Sequence, residues 1–279
     1  MGKEIITGWE PERRTHFDEI VEAYNQVRPE YPKEAFEDIL RYSGQKRSQK
    51  ALEIGAGTGK ATAPFLDAGY DVTAVELGEN MAGFLRKRFE TYKSFHVIVS
   101  SFEEAPLEED SYNLVYAASA FHWVDASIGC PKMLRLLTKG GVCALLRYNF
   151  SLHPMAGEAL SEEFHSLYEE YYYSHYKSNY RPVQLSHDLL ASPARVLSGY
   201  GFEDLRDYGF VDTVMKFYDA TLIYDADKYI THLDTLSDHR VLPAGNRESL
   251  YAGIKRVIAA HGNCHKVNCI FQLYMGRKA

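Results

Sequence analysis

Cysteine and tryptophan are scarce in this chain, with four of the former and two of the latter in 279 residues. Cys130, Cys143, Cys264 and Cys269 are too few and too scattered for a disulfide scaffold. A chain of this length buries about 75% of its unfolded surface and needs no such staples. Long apolar runs are also missing. No stretch approaches the roughly 18 uncharged apolar residues that a membrane span requires. Met1-Gly2-Lys3-Glu4 has none of the apolar core of a signal peptide, so the expectation is a cytoplasmic protein of a reducing compartment. Positive charge is the third shortage: 31 Lys+Arg stand against 38 Asp+Glu, a net −7. That balance argues against a nucleic-acid backbone as the main partner, because such affinity comes from Lys and Arg displacing counterions. Arg86-Lys87-Arg88 and Lys46-Arg47 read as solvated faces. Tyrosine, by contrast, is plentiful at 21, beside 14 Phe. Its apolar ring and polar tip suit pocket walls and interfaces.

Along the chain, strand and helix patterns alternate. Residues 13–43 carry two helical patterns split at Arg28-Pro29-Glu30-Tyr31-Pro32. Short apolar strands are expected at 51–54, 71–75, 95–99, 112–117 and 141–146, with helices at 58–68, 80–89 and 127–137 between them. This is the pattern of an α/β fold with a parallel sheet covered on both faces. After residue 150 the alternation lapses. Residues 151–202 are helical or loop-like and rich in tyrosine, a strand is expected over 205–217, helix over 225–260, and a closing strand over 267–275. The chain thus divides into a helical cap (1–44), a ligand-binding core (45–150), helical lid segments (151–202 and 220–264) and finishing strands (203–219 and 265–279), all one domain.

The most informative stretch is Leu52-Glu53-Ile54-Gly55-Ala56-Gly57-Thr58-Gly59, set between a strand and a helix. Glycines there allow a tight turn and let the backbone approach a ligand. In open parallel sheets ligands lie outside the carboxyl ends of the strands. Glu76 follows the second strand, 21 residues after Gly55, where a carboxylate can accept hydrogen bonds from both hydroxyls of a ribose. A dinucleotide loop is spaced G-x-G-x-x-G, whereas Gly59 follows Gly57 by two. Glu53 also puts a negative charge near the mouth, which would repel a pyrophosphate and suits an ammonium or sulfonium. Both details favour an adenosyl cofactor over a nicotinamide one.

With these residues the sequence resembles the class I S-adenosylmethionine-dependent methyltransferases. The glycine loop and Glu76 carry the likeness, together with Ser100–Leu107, Tyr112–Tyr116 and Leu137–Gly141. Tyr24-x3-Arg28-Pro29-x-Tyr31-Pro32, Ala120-Phe121-His122-Trp123 and Leu236-Ser237-Asp238-His239-Arg240 are similar to a small-molecule branch that includes trans-aconitate methyltransferases. The resemblance implies a Rossmann-like seven-stranded sheet, order 3-2-1-4-5-7-6, with an antiparallel last strand and helical lid insertions. It implies S-adenosylmethionine as cofactor, S-adenosylhomocysteine as product, and methyl transfer to a small molecule such as a carboxylate. Gly55, Ala56 and Gly57 would line the methionine part, with Glu53 beside it. Glu76 would bind the ribose, Leu77 would flank the adenine, Met81 belongs to the same wall, and Ser101 and Phe102 would sit at the adenine edge. Ala118 would lie near the middle of the cofactor, and Tyr24 and Arg28 would close over its carboxylate end. Ser101 stands where the family usually has an acidic residue, which shifts adenine recognition toward Phe102 and the backbone.

His122 is the candidate catalytic residue, as a proton acceptor, and Trp123 and Arg240 are candidates for the acceptor side; the bland reading of His122 and Trp123 is a loop histidine with an aromatic packing partner. Arg147, Arg181 and His239 add further polar groups on the lid side. His261-x2-Cys264-His265-x3-Cys269 fits no common zinc spacing and reads as a helix-to-strand junction, so no metal is expected. A nicotinamide oxidoreductase and a non-catalytic adenosyl-binding module are the competing functions.

Overall fold

The computed structural model describes residues 15–44, 48–151, 154, 160–177, 185–192 and 202–279. Seven strands form one sheet: β1 (Lys50–Ile54), β2 (Asp71–Glu76), β3 (Phe95–Val99), β4 (Tyr112–Ala118), β5 (Leu137–Phe150), β6 (Val211–Tyr224) and β7 (His265–Arg277). Their order is 3-2-1-4-5-7-6. β1, β2, β3, β4 and β5 pair parallel, and β7 runs antiparallel to both β5 and β6. This is the Rossmann-like sheet that the resemblance implied.

Alternation along the strands sorts the core into two layers. Ala51, Val72, Ala74, Leu114 and Tyr116 face one layer, where they meet α2 (Lys33–Ser43) and α3 (Ala63–Asp67) through Ala35, Phe36, Ile39, Phe65 and Leu66. Leu52, Ile54, Val75, Val115 and Ala117 face the other, against Cys130, Met133 and Leu136 of α5 (Ala126–Leu136). A sheet buried on both faces reads as continuous apolar runs, as these strands do. A third cluster lies among the later helices: α6 (Ser161–Tyr168), which continues through a π-helical turn (Glu169–Tyr173) to Tyr176, packs with α8 (Ala226–Asp234) and α10 (Ala244–Ala260) through Phe164, Tyr168, Tyr229, Leu250 and Ile254.

Four expectations need correction. The helix expected over 58–68 is only α3, because the preceding residues are spent on the turns of the glycine loop. The strand expected over 205–217 begins later and ends later, as β6. Leu205–Tyr208 is instead a 3-10 turn, capped by the Asp204 side chain on Arg206 N–H and closed by Gly209 at φ 90°. Leu205 is buried within that turn and Phe210 just after it. Residues 220–224, assigned to the lid, therefore complete the strand. β5 also starts at Leu137, ahead of 141, with a register shift against β4 that carries Gly140 at φ 74°.

The N-terminal cap comprises a 3-10 turn (Thr15–Glu19) and α1 (Val21–Val27), and it docks across the carboxyl ends of the strands. α4 (Glu79–Arg88) begins at Gly78, which has no side chain to cap it. Asp18 supplies the cap from outside the helix, its Oδ1 accepting from Met81 N–H at 2.8 Å. A Cβ at Gly78 would stand 2.2 Å from that same oxygen, so the close approach requires glycine.

Candidate active site

A cavity of about 300 Å³ opens at the carboxyl ends of β1, β2 and β4. Tyr24, Arg28, Glu53, Gly55, Ala56, Gly57, Glu76, Leu77, Met81, Ser101, Phe102, Ala118, His122 and Trp123 all line it. Arg240 does not. Its guanidinium pairs with Glu19 at 3.1 Å and Asp234 at 3.8 Å, and the same motif sends Leu236, Ser237 and Asp238 to the cavity wall. Among the arginines noted on the lid side, Arg147 lines the cavity, while Arg181 lies outside the described residues, as do Lys46 and Arg47.

The loop geometry explains its glycines. Gly55 has φ 64°, and a Cβ there would come within 2.6 Å of the Ala120 Cβ. Gly57 has φ 56°, and among the described residues its Cβ would meet no atom closer than Tyr24 Cε1 at 4.0 Å, so a side chain would project into the cavity itself. Neighbouring Thr58 is buried, and its Oγ1 has no hydrogen-bond partner among the described residues. A cradle that a side chain would fill, beside a buried hydroxyl lacking a partner, fits a bound adenosyl cofactor.

Glu76 anchors the loop: its Oε2 accepts from Gly57 N–H at 2.7 Å and its Oε1 from Gly78 N–H at 3.0 Å. Each oxygen keeps a second acceptor position for a ligand hydroxyl. Glu53 sits deeper than the sequence suggested. It is 1% exposed, and its Oε2 accepts from Thr62 Oγ1 at 2.5 Å and from the Tyr116 hydroxyl at 2.9 Å. Burial outweighs these bonds and pushes its carboxyl up to about 7, with the Glu76 charge adding to the rise. The expected standing negative charge at the mouth is therefore a buried acid that ionises near neutrality, because its own desolvation penalises the anion.

Arg28 Nε donates to Thr235 Oγ1 at 2.9 Å, and its two amino groups donate to the Tyr148 hydroxyl at 2.6 Å and the Thr235 carbonyl at 2.5 Å. Three of the five guanidinium N–H groups are thereby engaged. The guanidinium also lies over the Tyr24 ring, 4.9 Å from its centroid. Phe17 then links this corner to the acceptor side, meeting Tyr24 at 5.8 Å and Trp123 at 5.7 Å, both edge-on. At the other end Ser101 Oγ accepts from Glu104 N–H at 3.2 Å, so part of its capacity holds its own turn. Phe102 is buried, with Lys132 Nζ 5.2 Å from its ring centroid.

His122 occupies the 3-10 turn after β4, against Trp123 at 5.1 Å, and stays open to the cavity. Enclosure by the cleft, together with the cationic Arg147 and Arg28, holds its imidazole well below the usual value. It is neutral at physiological pH, the form able to accept a proton. The residues His261, Cys264, His265 and Cys269 do form a helix-to-strand junction, with His265 buried against Phe164 and Tyr229.

Sequence reasoning passed over Phe17, Asp18, Thr58, Tyr148 and Asp238. Thr58 and Asp238 carried a signal, since they stood inside the quoted Leu52–Gly59 and Leu236–Arg240 stretches, from the second of which Arg240 was chosen for its forked charge. The others are placed by contacts between segments far apart in the chain.

Residues 52–145 match the family described as a methyltransferase domain. An uncharacterised methyltransferase of Mycobacterium tuberculosis is 35% identical over 130 residues, 47% of this chain and 51% of that one. The chain spans about half the length of the curated relatives it matches there. Two solved structures share the fold. A type II methyltransferase candidate from Anaeromyxobacter dehalogenans superposes with a TM-score of 0.59 at 19% identity, covering 90% of this chain and 97% of that one. Phosphoethanolamine N-methyltransferase 2 of Haemonchus contortus, solved with S-adenosyl-L-methionine, gives 0.54 at 16% identity, covering 100% of this chain and 61% of that one.

Proposed function

We propose, from the premise that residues 52–145 form a class I methyltransferase core, that the protein transfers a methyl group from S-adenosylmethionine to a small-molecule acceptor. The observation that carries this reading is the gathering of the glycine loop, Glu53, Glu76 and Arg28 in one cavity at the strand ends. When bound, S-adenosylmethionine supplies a methyl group activated by its sulfonium charge. Glu76 binds the ribose hydroxyls. Glu53, once ionised, pairs with the ammonium of the methionine part, and Arg28 offers its remaining N–H groups to the carboxylate. Leu77, Met81 and Phe102 enclose the adenine, with Ser101 at its edge. Ala118 lies against the middle of the cofactor.

The acceptor then occupies the space bounded by His122, Trp123, Arg147, Tyr148 and Phe150. Its nucleophilic atom would form a bond to the methyl carbon as the carbon–sulfur bond breaks, with the electron pair staying on the sulfur. Where the nucleophile carries a proton, neutral His122 accepts it. The rest of the work is alignment and exclusion of water. An anionic group on the acceptor, such as a carboxylate, finds its counter-charge in Arg147.

Titration calorimetry with S-adenosylhomocysteine and with NAD tests the cofactor assignment: micromolar binding of the first alone is expected. Binding of NAD alone would overturn it. Transfer of a labelled methyl group to components of a small-molecule extract, resolved by product mass, tests the reaction. Cofactor binding with no transfer to any acceptor would instead mark a non-catalytic module.

A further inference from the structure

Asp238 is a charged group of the cavity wall to which the proposed function gives no role. Asp238 lies in α9 (Ser237–Arg240) and lines the cavity, with 43% of its side chain accessible. Its carboxylate is gripped from behind. Oδ2 accepts from the Tyr172 hydroxyl at 2.5 Å. Oδ1 accepts from His239 N–H at 3.0 Å and lies 3.1 Å from His239 Nδ1. The imidazole is itself fixed, fully buried, with Nε2 3.1 Å from the Tyr168 hydroxyl. With Tyr168 donating to Nε2, the ring proton sits on Nδ1 and is donated to Asp238. The Tyr176 hydroxyl donates to the Asp238 carbonyl at 2.5 Å, pinning the backbone as well.

This grip has a chemical consequence. A carboxylate has about four acceptor positions, and three of those on Asp238 are filled by donors from the protein. One position is left over. Burial works against the charge, but His239 beside it and the Tyr172 hydroxyl outweigh burial and hold the carboxyl well below the usual range. The group is thus a fixed anion with a single unused acceptor position. Arg147, on β5, presents the opposite charge to the same small cavity and stands near enough to His122 to depress its imidazole.

We infer that Asp238 reads a hydrogen-bond donor on the acceptor, a hydroxyl or an ammonium, and that with Arg147 it selects small molecules carrying both such a donor and an anionic group. A plain acid would bring its charge against the Asp238 carboxylate, and a plain amine would face Arg147. An acceptor without polar groups would desolvate both charges and satisfy neither. The inference rests on the methyltransferase reading of the cavity and deepens it by naming the substrate class.

The test uses the full chain loaded with S-adenosylhomocysteine and three probes that share a phenyl body. They are 3-phenylpropanoate, 3-(4-hydroxyphenyl)propanoate and 2-phenylethylamine, each titrated by calorimetry. The hydroxy acid should bind at least about tenfold more tightly than either other probe. Asp238→Asn should cut that preference to within about threefold while leaving S-adenosylhomocysteine affinity unchanged. Tyr172→Phe removes one donor but leaves the carboxylate, so it should keep the preference and serves if Asp238→Asn does not fold. Equal binding of the two acids, or no binding of any probe, overturns the inference and leaves the cofactor reading intact. So does a preference that survives Asp238→Asn, or a loss of cofactor affinity in that variant. Failure of the wild-type chain to bind S-adenosylhomocysteine overturns the function itself, and the inference falls with it.

Discussion

At the cofactor end of the cavity, the carboxylate of Glu76 is held by the backbone N–H groups of Gly57 and Gly78, 19 and two residues away in sequence. At the acceptor end, the Asp238 carboxylate and carbonyl and the His239 ring meet tyrosine hydroxyls 62 to 71 residues distant. The first arrangement depends on backbone shape and tolerates few changes in the loop. The second depends on side chains converging from the lid, so single substitutions there should alter acceptor handling or lid stability and leave the cofactor loop intact. On the proposed function, the difference separates binding of the methyl donor from choice of the methyl acceptor.

The strongest way to break this comparison is Gly57→Val. The left-handed φ alone costs about 1–2 kcal/mol for a residue with a Cβ, and the branched carbon would stand in the cavity. S-adenosylhomocysteine affinity should fall about a hundredfold by calorimetry. Glu76→Ala should follow, with a loss of about 1.5–3 kcal/mol as charge-assisted bonds disappear. Near-native affinity in both folded variants would remove the basis for the cofactor assignment. His239→Ala probes the other end. It removes the buried imidazole that meets the Tyr168 hydroxyl and the Asp238 carboxylate and should cost about 1–3 kcal/mol in denaturant unfolding. The cofactor dissociation constant should not move; if it does, the two ends are not separable.

Acidity sharpens the comparison further. Pairing with an ammonium needs the ionised form of Glu53, whose carboxyl is pushed up to about 7. Affinity for S-adenosylhomocysteine should therefore weaken as pH falls through 7, approaching about tenfold per pH unit below it. Glu53→Gln should flatten that profile. For the free protein the sign is opposite. The raised carboxyl favours the folded state when protonated, so its contribution is complete below the ordinary 4.5 and is lost as pH rises through about 7. His122, held low, should not govern the profile near neutrality. The smallest expected effect is in hydrogen exchange. Amides of the cap helix α1 should slow when S-adenosylhomocysteine binds beneath Tyr24 and Arg28, and unchanged exchange would argue for a cap indifferent to the cofactor.

The same contrast governs what the sequence disclosed. The glycine loop is a local matter: Leu52–Gly59 and Glu76 lie within one β-α-β unit, and periodicity with glycine spacing defines such a unit, whereas the strand order was implied only by the family resemblance. The acceptor side depends on long-range convergence. Arg240 looked like the anion-binding residue because of its charge, but Glu19 and Asp234 claim it. Asp238 was quoted only as part of the Leu236–Arg240 motif, and its turn is held at the cavity by Tyr168, Tyr172 and Tyr176 from α6 and its continuation. Glu53 was placed correctly along the chain, but its ionisation depends on Thr62, Tyr116 and the depth of burial. No pattern of neighbouring letters conveys that depth.

The strands themselves are of two lengths. β1 has 5 residues, about 17 Å, while β5 and β6 have 14 each, about 46 Å at roughly 3.3 Å per residue. The far part of β5, where Arg147, Tyr148 and Phe150 pair with Gln272, Phe271 and Cys269 of β7, is a shelf that extends the sheet toward the acceptor. On the proposed function, one part of the acceptor space is fixed in the sheet ladder and another, with Asp238, comes from the helices after β6. Changes in those helices would then alter which molecule is methylated while the glycine loop goes on recognising the same donor. A chimera joining this shelf to the lid of a related chain would exchange acceptors without rebuilding the cofactor pocket.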